Sequence, residues 1–177
     1  MMKLLIAYVS RTGSSRFCAE FIAKELEQKA EVDVFDLEEK TPSLEGYDAV
    51  IVGGPVRLGV YPKALRQFIK NNRAKLSALP CAVYFCCGIS RNAEEYSETL
   101  IPRKFVASLG VHHFGGELKP QKAKGFDKIF IRHLRSSVKY YDFEDRDASD
   151  VSLPELMPEN AHLLAEEIKR MAIKQYL

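Results

Sequence analysis

No tryptophan occurs in the 177 residues of this chain, which excludes an indole as stacking partner for any bound ring. Also missing is an apolar run approaching the roughly 20 residues that cross a bilayer. No stretch has the apolar centre and small-residue cleavage site of a signal peptide. The expectation is a soluble, cytoplasmic protein. Cysteine is scarce, and Cys18, Cys81, Cys86 and Cys87 form no C-x-x-C pair. That excludes the usual cysteine metal pattern, so no metal is expected. Free buried thiols in a reducing compartment are expected, because a vicinal Cys86–Cys87 disulfide would be strained. Charge of one sign is lacking too: 26 Lys and Arg stand against 24 Asp and Glu, a formal +2. Such a balance does not mark a bulk nucleic-acid binder. With no internal repeat or low-complexity linker, and with 46% hydrophobic residues, the length suits one buried core. A single domain over residues 1–177 is expected.

What the chain does have is alternation. The run Leu4-Leu5-Ile6-Ala7-Tyr8-Val9 reads as a strand covered on both faces. Phe17, Cys18, Phe21, Ile22 and Leu26 follow at helical spacing. Further strands are expected at residues 32–37, 49–52, 81–86 and 111–118. Helices are expected after Pro62, at about 93–109, and at 158–176. The third-to-fourth-strand helix has Ala64, Leu65, Phe68, Ile69 and Leu76 as its apolar face, and the last helix has Ala161, Leu164, Ile168 and Met171. Five strands alternating with helices predict an α/β fold, a doubly wound parallel sheet with helices on both faces. In such sheets ligands bind beyond the carboxyl ends of the strands, where strand order reverses. Three loops meet there: residues 10–15, 53–61 and 87–92.

Between the first strand and helix lie Ser10, Arg11, Thr12, Gly13, Ser14 and Ser15. Gly13 permits a tight turn, and four hydroxyls stand beside the free N–H groups of a helix start. Simple capping needs one such residue. Four in six positions point to an anion site, where oriented donors and the helix dipole stabilise a phosphate. The turn lacks the lysine of a triphosphate loop and the three glycines of a dinucleotide fingerprint. Nor does the first strand end in the aspartates with which a phosphorelay receiver holds its metal.

These residues resemble the phosphate loop of flavodoxins, [ST]-x-T-G-x-[ST], with Ser10, Thr12, Gly13 and Ser15 in the defining places and Arg11 and Ser14 in the variable ones. The resemblance covers most of the chain and implies a flavodoxin-like fold binding FMN through its phosphate. The stretch Gly53-Gly54-Pro55-Val56-Arg57-Leu58-Gly59-Val60-Tyr61 looks more narrowly like the second loop of the bacterial menaquinone-dependent protoporphyrinogen oxidase family. Arg103-Lys104-Phe105 and Phe126-Asp127-Lys128-Ile129-Phe130 are shorter likenesses to it. On this resemblance Gly54, Pro55, Val56, Arg57, Leu58 and Gly59 approach one side of the isoalloxazine ring. Cys87, Gly88, Ile89 and Ser90 approach the other, although their cysteine-rich context departs from that family. Arg57 is the one catalytic candidate, either stabilising negative charge on the reduced cofactor or meeting an acidic substrate; the alternative is a solvated surface charge. Tyr61 and Tyr96 are the nearest positional substitutes for the stacked tryptophan of many flavodoxins, or else ordinary half-buried aromatics.

Residues 119–157 are too long for a bare connection before the last helix. From Lys119 to Lys139 there are seven Lys or Arg against one acidic residue, and Asp142, Glu144, Asp145, Asp147 and Asp150 then reverse the sign. Phe126, Ile129, Phe130, Leu134 and Val138 share one helical face. Two readings stand: a helix packed on the domain with solvated cations, or a basic face that meets an anionic membrane surface or a propionate-bearing substrate. His133 on its apolar side reads as structural, and His112 and His113 lack metal-ligand spacing. The implied function is an FMN-dependent oxidoreductase taking electrons from a small organic substrate, with a porphyrinogen as the candidate, to a quinone. An electron-carrier flavodoxin and a nicotinamide-dependent FMN or quinone reductase are the alternatives. Carriers are strongly acidic to suit basic partners, and this chain is slightly basic.

Overall fold

A computed structural model of the chain describes residues 1–57, 59–87, 95–96, 99–100, 105–117 and 155–174. Strands β1 (Met2–Tyr8), β2 (Ala30–Asp36), β3 (Ala49–Pro55), β4 (Cys81–Cys86) and β5 (Val111–His113) form one parallel sheet in the order β2-β1-β3-β4-β5. Helices α1 (Ser14–Leu26), α2 (Lys63–Ala78) and α3 (Pro158–Lys174) cover it. The α/β architecture expected above is present. The chain runs outward from β1 to β2, then returns to place β3 on the other side of β1. That reversal opens the crevice between the ends of β1 and β3 in which such sheets bind ligands.

The period of two along each strand divides the interior into two cores. Met2, Leu4, Ile6 and Tyr8 of β1 face α1 and α3, where Cys18, Ala19, Ile22, Leu164 and Ile168 complete the packing. Leu5 and Ala7 face the opposite side with Leu65, Phe68, Ile69 and Leu76 of α2. Each fully buried Leu or Ile contributes roughly 1.5–3 kcal/mol relative to exposure, so both helical layers are held chiefly by apolar burial.

Several boundaries differ from the pattern-based expectation. Strand β3 runs three residues beyond 52, because Gly53, Gly54 and Pro55 stay in register with Tyr84, Phe85 and Cys86 of β4. Strand β5 ends at His113 rather than 118. Phe114 and Gly115 still pair with Phe85 and Cys87, but the chain then turns to an antiparallel bridge with Leu156. Of the helix expected at 93–109, Glu95, Tyr96 and Thr99 are helical. Residues 105–109 are not, since they dock on the start of β4: Leu109 N–H donates to the Cys81 carbonyl and Cys81 N–H to Ser108 Oγ. The basic segment 119–139, the acidic residues after it and His133 lie outside the described residues.

Gly53 carries the tightest approach between strands. A Cβ there would overlap the ring of Tyr84, which lies flat where a side chain would stand. We expect Gly53→Ala to lose about 1–3 kcal/mol through overpacking, read as a lower midpoint in urea unfolding.

Helices α1 and α3 are also joined at the surface. Lys169 Nζ donates to Glu25 Oε2 at 3.1 Å and to Glu166 Oε1 at 2.8 Å, and His162 Nδ1 lies 3.1 Å from Glu25. The Lys169 hydrogen bonds hold both carboxyls below their ordinary range. Carboxyls depressed in the folded state stabilise it above the unfolded value, near 4.3, and this is lost as pH falls through the folded values. Lys169→Met should therefore be less stable than the parent at pH 7, with the gap closing towards pH 3 in parallel denaturant titrations. Exposure and salt keep the gap small.

Candidate functional site

The first loop leaves β1 at the reversal point. Val9 N–H donates to the Gly53 carbonyl at 3.1 Å, tying the exit of β1 to β3, and Leu37 N–H donates to the Tyr8 carbonyl at 2.8 Å on the other side. Gly13 then takes a left-handed conformation, φ 95°, and α1 begins at Ser14. A side chain would be strained there, and a glycine also leaves the helix start without a side-chain cap. The first helical bond is Phe17 N–H to the Gly13 carbonyl, so the N–H groups of Ser14, Ser15 and Arg16 have no helical acceptor. No acidic residue occupies the first turn.

Two hydroxyls complete the cradle. Ser10 Oγ and Ser15 Oγ are buried and have no hydrogen-bond partner among the described residues. Ser15 is only 1% exposed. Leaving such a group unsatisfied costs roughly 1–3 kcal/mol, a penalty folded proteins rarely carry without a ligand to relieve it. Orphaned hydroxyls, free N–H groups and the positive end of a helix dipole suit an anion with several acceptor oxygens. Thr12 is half-buried, while Arg11 and Gly13 are exposed.

Around the second loop, Gly54 is buried and its bare α-carbon makes room for Leu65, whose Cδ2 lies 2.9 Å from where a Cβ would stand. Val56 packs into the α2-side core, and its N–H donates to the Cys86 carbonyl at 2.9 Å. Arg57 and Val60 exchange backbone hydrogen bonds at 3.0 and 3.1 Å, closing a tight turn with Gly59 at φ 74°. Pro55 and Arg57 are half-buried, and Leu58 lies outside the described residues. Tyr61 is a core residue rather than a surface aromatic: it is 2% exposed and its hydroxyl donates to the Tyr84 carbonyl at 3.1 Å. Burial raises its phenol well above the ordinary range. Tyr96 stays half-buried, edge-on to Phe85.

At the third loop, Cys87 N–H donates to the Gly115 carbonyl at 2.8 Å, and His113 Nε2 donates to the Cys87 carbonyl at 3.1 Å. The backbone of Cys87 is thus committed to the protein, which roots the loop. Gly88, Ile89 and Ser90 lie outside the described residues. All four cysteines are free and buried. Cys86 and Cys87 face opposite cores, and Cys86 Sγ instead meets Cys18 Sγ at 3.9 Å. That contact and burial push the Cys18 thiol well above its ordinary range.

Sequence reading missed Arg16. A cation in the first turn opposes the helix dipole, and it is held there by Nε donating to Tyr8 Oη at 2.9 Å and Nη2 to Asp36 Oδ2 at 3.3 Å. The visible signal is a cation directly after the loop motif; its partners are brought in by the β1–β2 pairing.

The family described as flavodoxin domain matches residues 5–145, and the chain belongs to it. Strand order and the phosphate-type loop agree with that membership. Within this class the chain is 35% identical over 164 residues to protoporphyrinogen IX dehydrogenase [quinone] of Escherichia coli K12, covering 81% of this chain and 90% of that one. The protein of the same name from Leishmania major is 26% identical over 142 residues, covering 75% and 62%. The chain is accordingly an oxidoreductase of the flavin-dependent, flavodoxin-like kind. Two solved structures share the fold at a TM-score of 0.55. One is a short-chain flavodoxin associated with a bacterial microcompartment, at 13% identity with 97% of this chain and 99% of that one covered. The other is rubredoxin oxygen:oxidoreductase of Desulfovibrio gigas, at 15% identity, where 98% of this chain spans 37% of that protein. Among the described residues no helix is long and apolar enough to cross a membrane.

The orphaned hydroxyls make a prediction about the protein without ligand. Ser15→Ala removes an unsatisfied buried group and should raise apo-protein stability by about 1 kcal/mol in denaturant unfolding. A destabilised variant would mean that Ser15 Oγ already has a partner in solution.

Proposed function

We propose that this chain is an FMN-dependent dehydrogenase that withdraws electrons from a porphyrinogen-type substrate and delivers them to a quinone. The observation that carries the cofactor is the pair of orphaned hydroxyls, Ser10 and Ser15, at an uncapped helix start. The substrate class rests on the 35% identity to a protoporphyrinogen dehydrogenase over most of both chains.

In this reading FMN, when bound, supplies two-electron redox chemistry. The chain supplies the rest. Ser10, Thr12, Ser14 and Ser15 donate hydroxyl hydrogens to the phosphate, with the N–H groups of Gly13 to Arg16, and Arg11 adds charge at the rim. Gly54, Pro55, Val56, Arg57, Leu58 and Gly59 border one side of the ring, and Cys87, Gly88, Ile89 and Ser90 the other. Arg57 attracts the carboxylates of a porphyrinogen or negative charge gained at the ring. The cationic stretch 119–139 serves the same acidic substrate, or holds the protein at an anionic membrane surface where a lipid-soluble quinone is met.

The test is anaerobic spectrophotometry of the FMN-loaded protein. Protoporphyrinogen should bleach the flavin and a menaquinone analogue should restore it, while NADH and NADPH leave it unchanged. Failure of both half-reactions would remove the proposal; bleaching by a nicotinamide would favour the reductase alternative. Ser10→Ala and Ser15→Ala should each weaken FMN about tenfold in fluorescence titration, since each deletes one hydrogen bond to a charged group.

A further inference from the structure

Tyr84 lies outside the cradle yet touches its frame. It sits in the middle of β4, fully buried, with its ring against the bare α-carbon of Gly53 and stacked on Phe114 at 4.9 Å. Phenylalanine would fill that space equally well. The hydroxyl adds one interaction: it donates to the Ser15 carbonyl in the first turn of α1, at 2.8 Å. At the other end, the Tyr84 carbonyl accepts from the Tyr61 hydroxyl. The residue is thus held at both ends, its phenol by α1 and its backbone by Tyr61.

We infer that Tyr84 is a positioning residue for phosphate recognition, its hydroxyl bracing the first turn of α1 and polarising the peptide unit that carries the Arg16 N–H. The inference rests on the phosphate-cradle reading given above. The Ser15 carbonyl and the Arg16 N–H belong to one peptide unit. Accepting a hydrogen bond at its oxygen makes the N–H a stronger donor. That N–H is one of the three with no helical acceptor, since the first helical bond starts at Phe17. The same bond ties α1 to the central sheet at the turn that carries Ser15 Oγ, and sites of this kind depend on positions held within about 0.5 Å. Burial raises the phenol well above its ordinary range, so the hydroxyl remains a donor throughout the pH range of the folded protein.

Tyr84→Phe removes the hydroxyl and leaves the packing. We expect the Kd for FMN to rise about two- to fivefold, less than on deleting a direct hydrogen bond to the phosphate, because only polarisation and positioning are lost. The Kd for riboflavin, which lacks the phosphate, should stay unchanged. In the apo protein, the shift of the Arg16 amide proton on adding inorganic phosphate should shrink. Gly53→Ala, which keeps the hydroxyl but displaces its ring, should lower the preference for FMN over riboflavin in the same direction, and stands in if Tyr84→Phe does not fold. A lower melting temperature with an unchanged preference and an unchanged Arg16 shift would make Tyr84 a packing residue and overturn the inference. If the parent protein itself shows no preference for FMN over riboflavin, the cradle reading falls, and the inference with it.

Discussion

The ring of Tyr84 occupies the place where a side chain on Gly53 would stand, and most of the site's framework depends on that single close approach. Gly53 pairs with Tyr8 at the end of β1 and with Tyr84 on β4, so it lies at the centre of the sheet where strand order reverses. Any side chain there would lift the aromatic ring away from β3. The ring in turn stacks on Phe114 beyond β5 and reaches α1 through its hydroxyl. The sheet and the helical layer packed on it meet at one absent methyl group. Its effect is geometric rather than energetic: it lets a large rigid side chain span from the sheet to the helix start without a cavity.

The helix start that this frame supports is deficient in its own hydrogen bonding. Gly13 offers no side-chain cap, no acid balances the dipole, and two buried hydroxyls have no partner. A stability-optimised sequence would place Asp or Ser at the cap and Ala at position 15. Even the charge is of the wrong sign, since Arg16 must be restrained by Tyr8 and Asp36. These departures gather within a few residues while the strands and helices around them are packed conventionally. Local violation inside an otherwise consistent fold is the physical mark of a site shaped for a ligand. Anion binding accounts for the missing cap, the absent acid and the orphaned hydroxyls with a single cause, because each leaves a donor or the positive end of the dipole unsatisfied.

Much of this architecture is legible in the sequence. The apolar runs of β1 and β4 and the spacing of Leu65, Phe68, Ile69 and Leu76 follow from burial on both faces or one, which sequence period reports directly. The phosphate-type loop was readable because hydroxyls, glycine and helix start are contiguous. What escaped was non-local. Gly53 read as loop because glycine is a strand breaker, whereas its pairing with Tyr84 keeps it in β3. Tyr84 read only as one apolar position among six, since its hydroxyl acts across 69 residues of chain. Tyr61 was misread for the same reason, its core environment being supplied by β4. The helix expected at 93–109 overran because the docking of residues 105–109 on Cys81 is a tertiary effect.

Anchor and reaction end are built from different materials, and this bears on how one fold serves unlike chemistries. The proposed phosphate end is made of backbone N–H groups, hydroxyls and a dipole, all rooted in the central sheet. Such a site depends on chain geometry more than on side-chain identity, so it survives extensive sequence change. Solved structures at 13–15% identity share the fold. Among the described residues, the second loop is held by Val56 N–H to Cys86, by the Arg57–Val60 pair and by the buried Tyr61, and the third is rooted through Cys87 N–H to Gly115. The Arg57 side chain stands outside the β3–β4 ladder. Specificity for an electron donor is therefore expected to reside in loop side chains and in the charged segment after residue 118. Its seven Lys and Arg with one acid, followed directly by acids, create a local field that the near-neutral total conceals. A field confined to one segment acts within about a Debye length, roughly 8–10 Å. On the proposed reading, such a field acts on an acidic substrate without making the whole protein adhesive to anions.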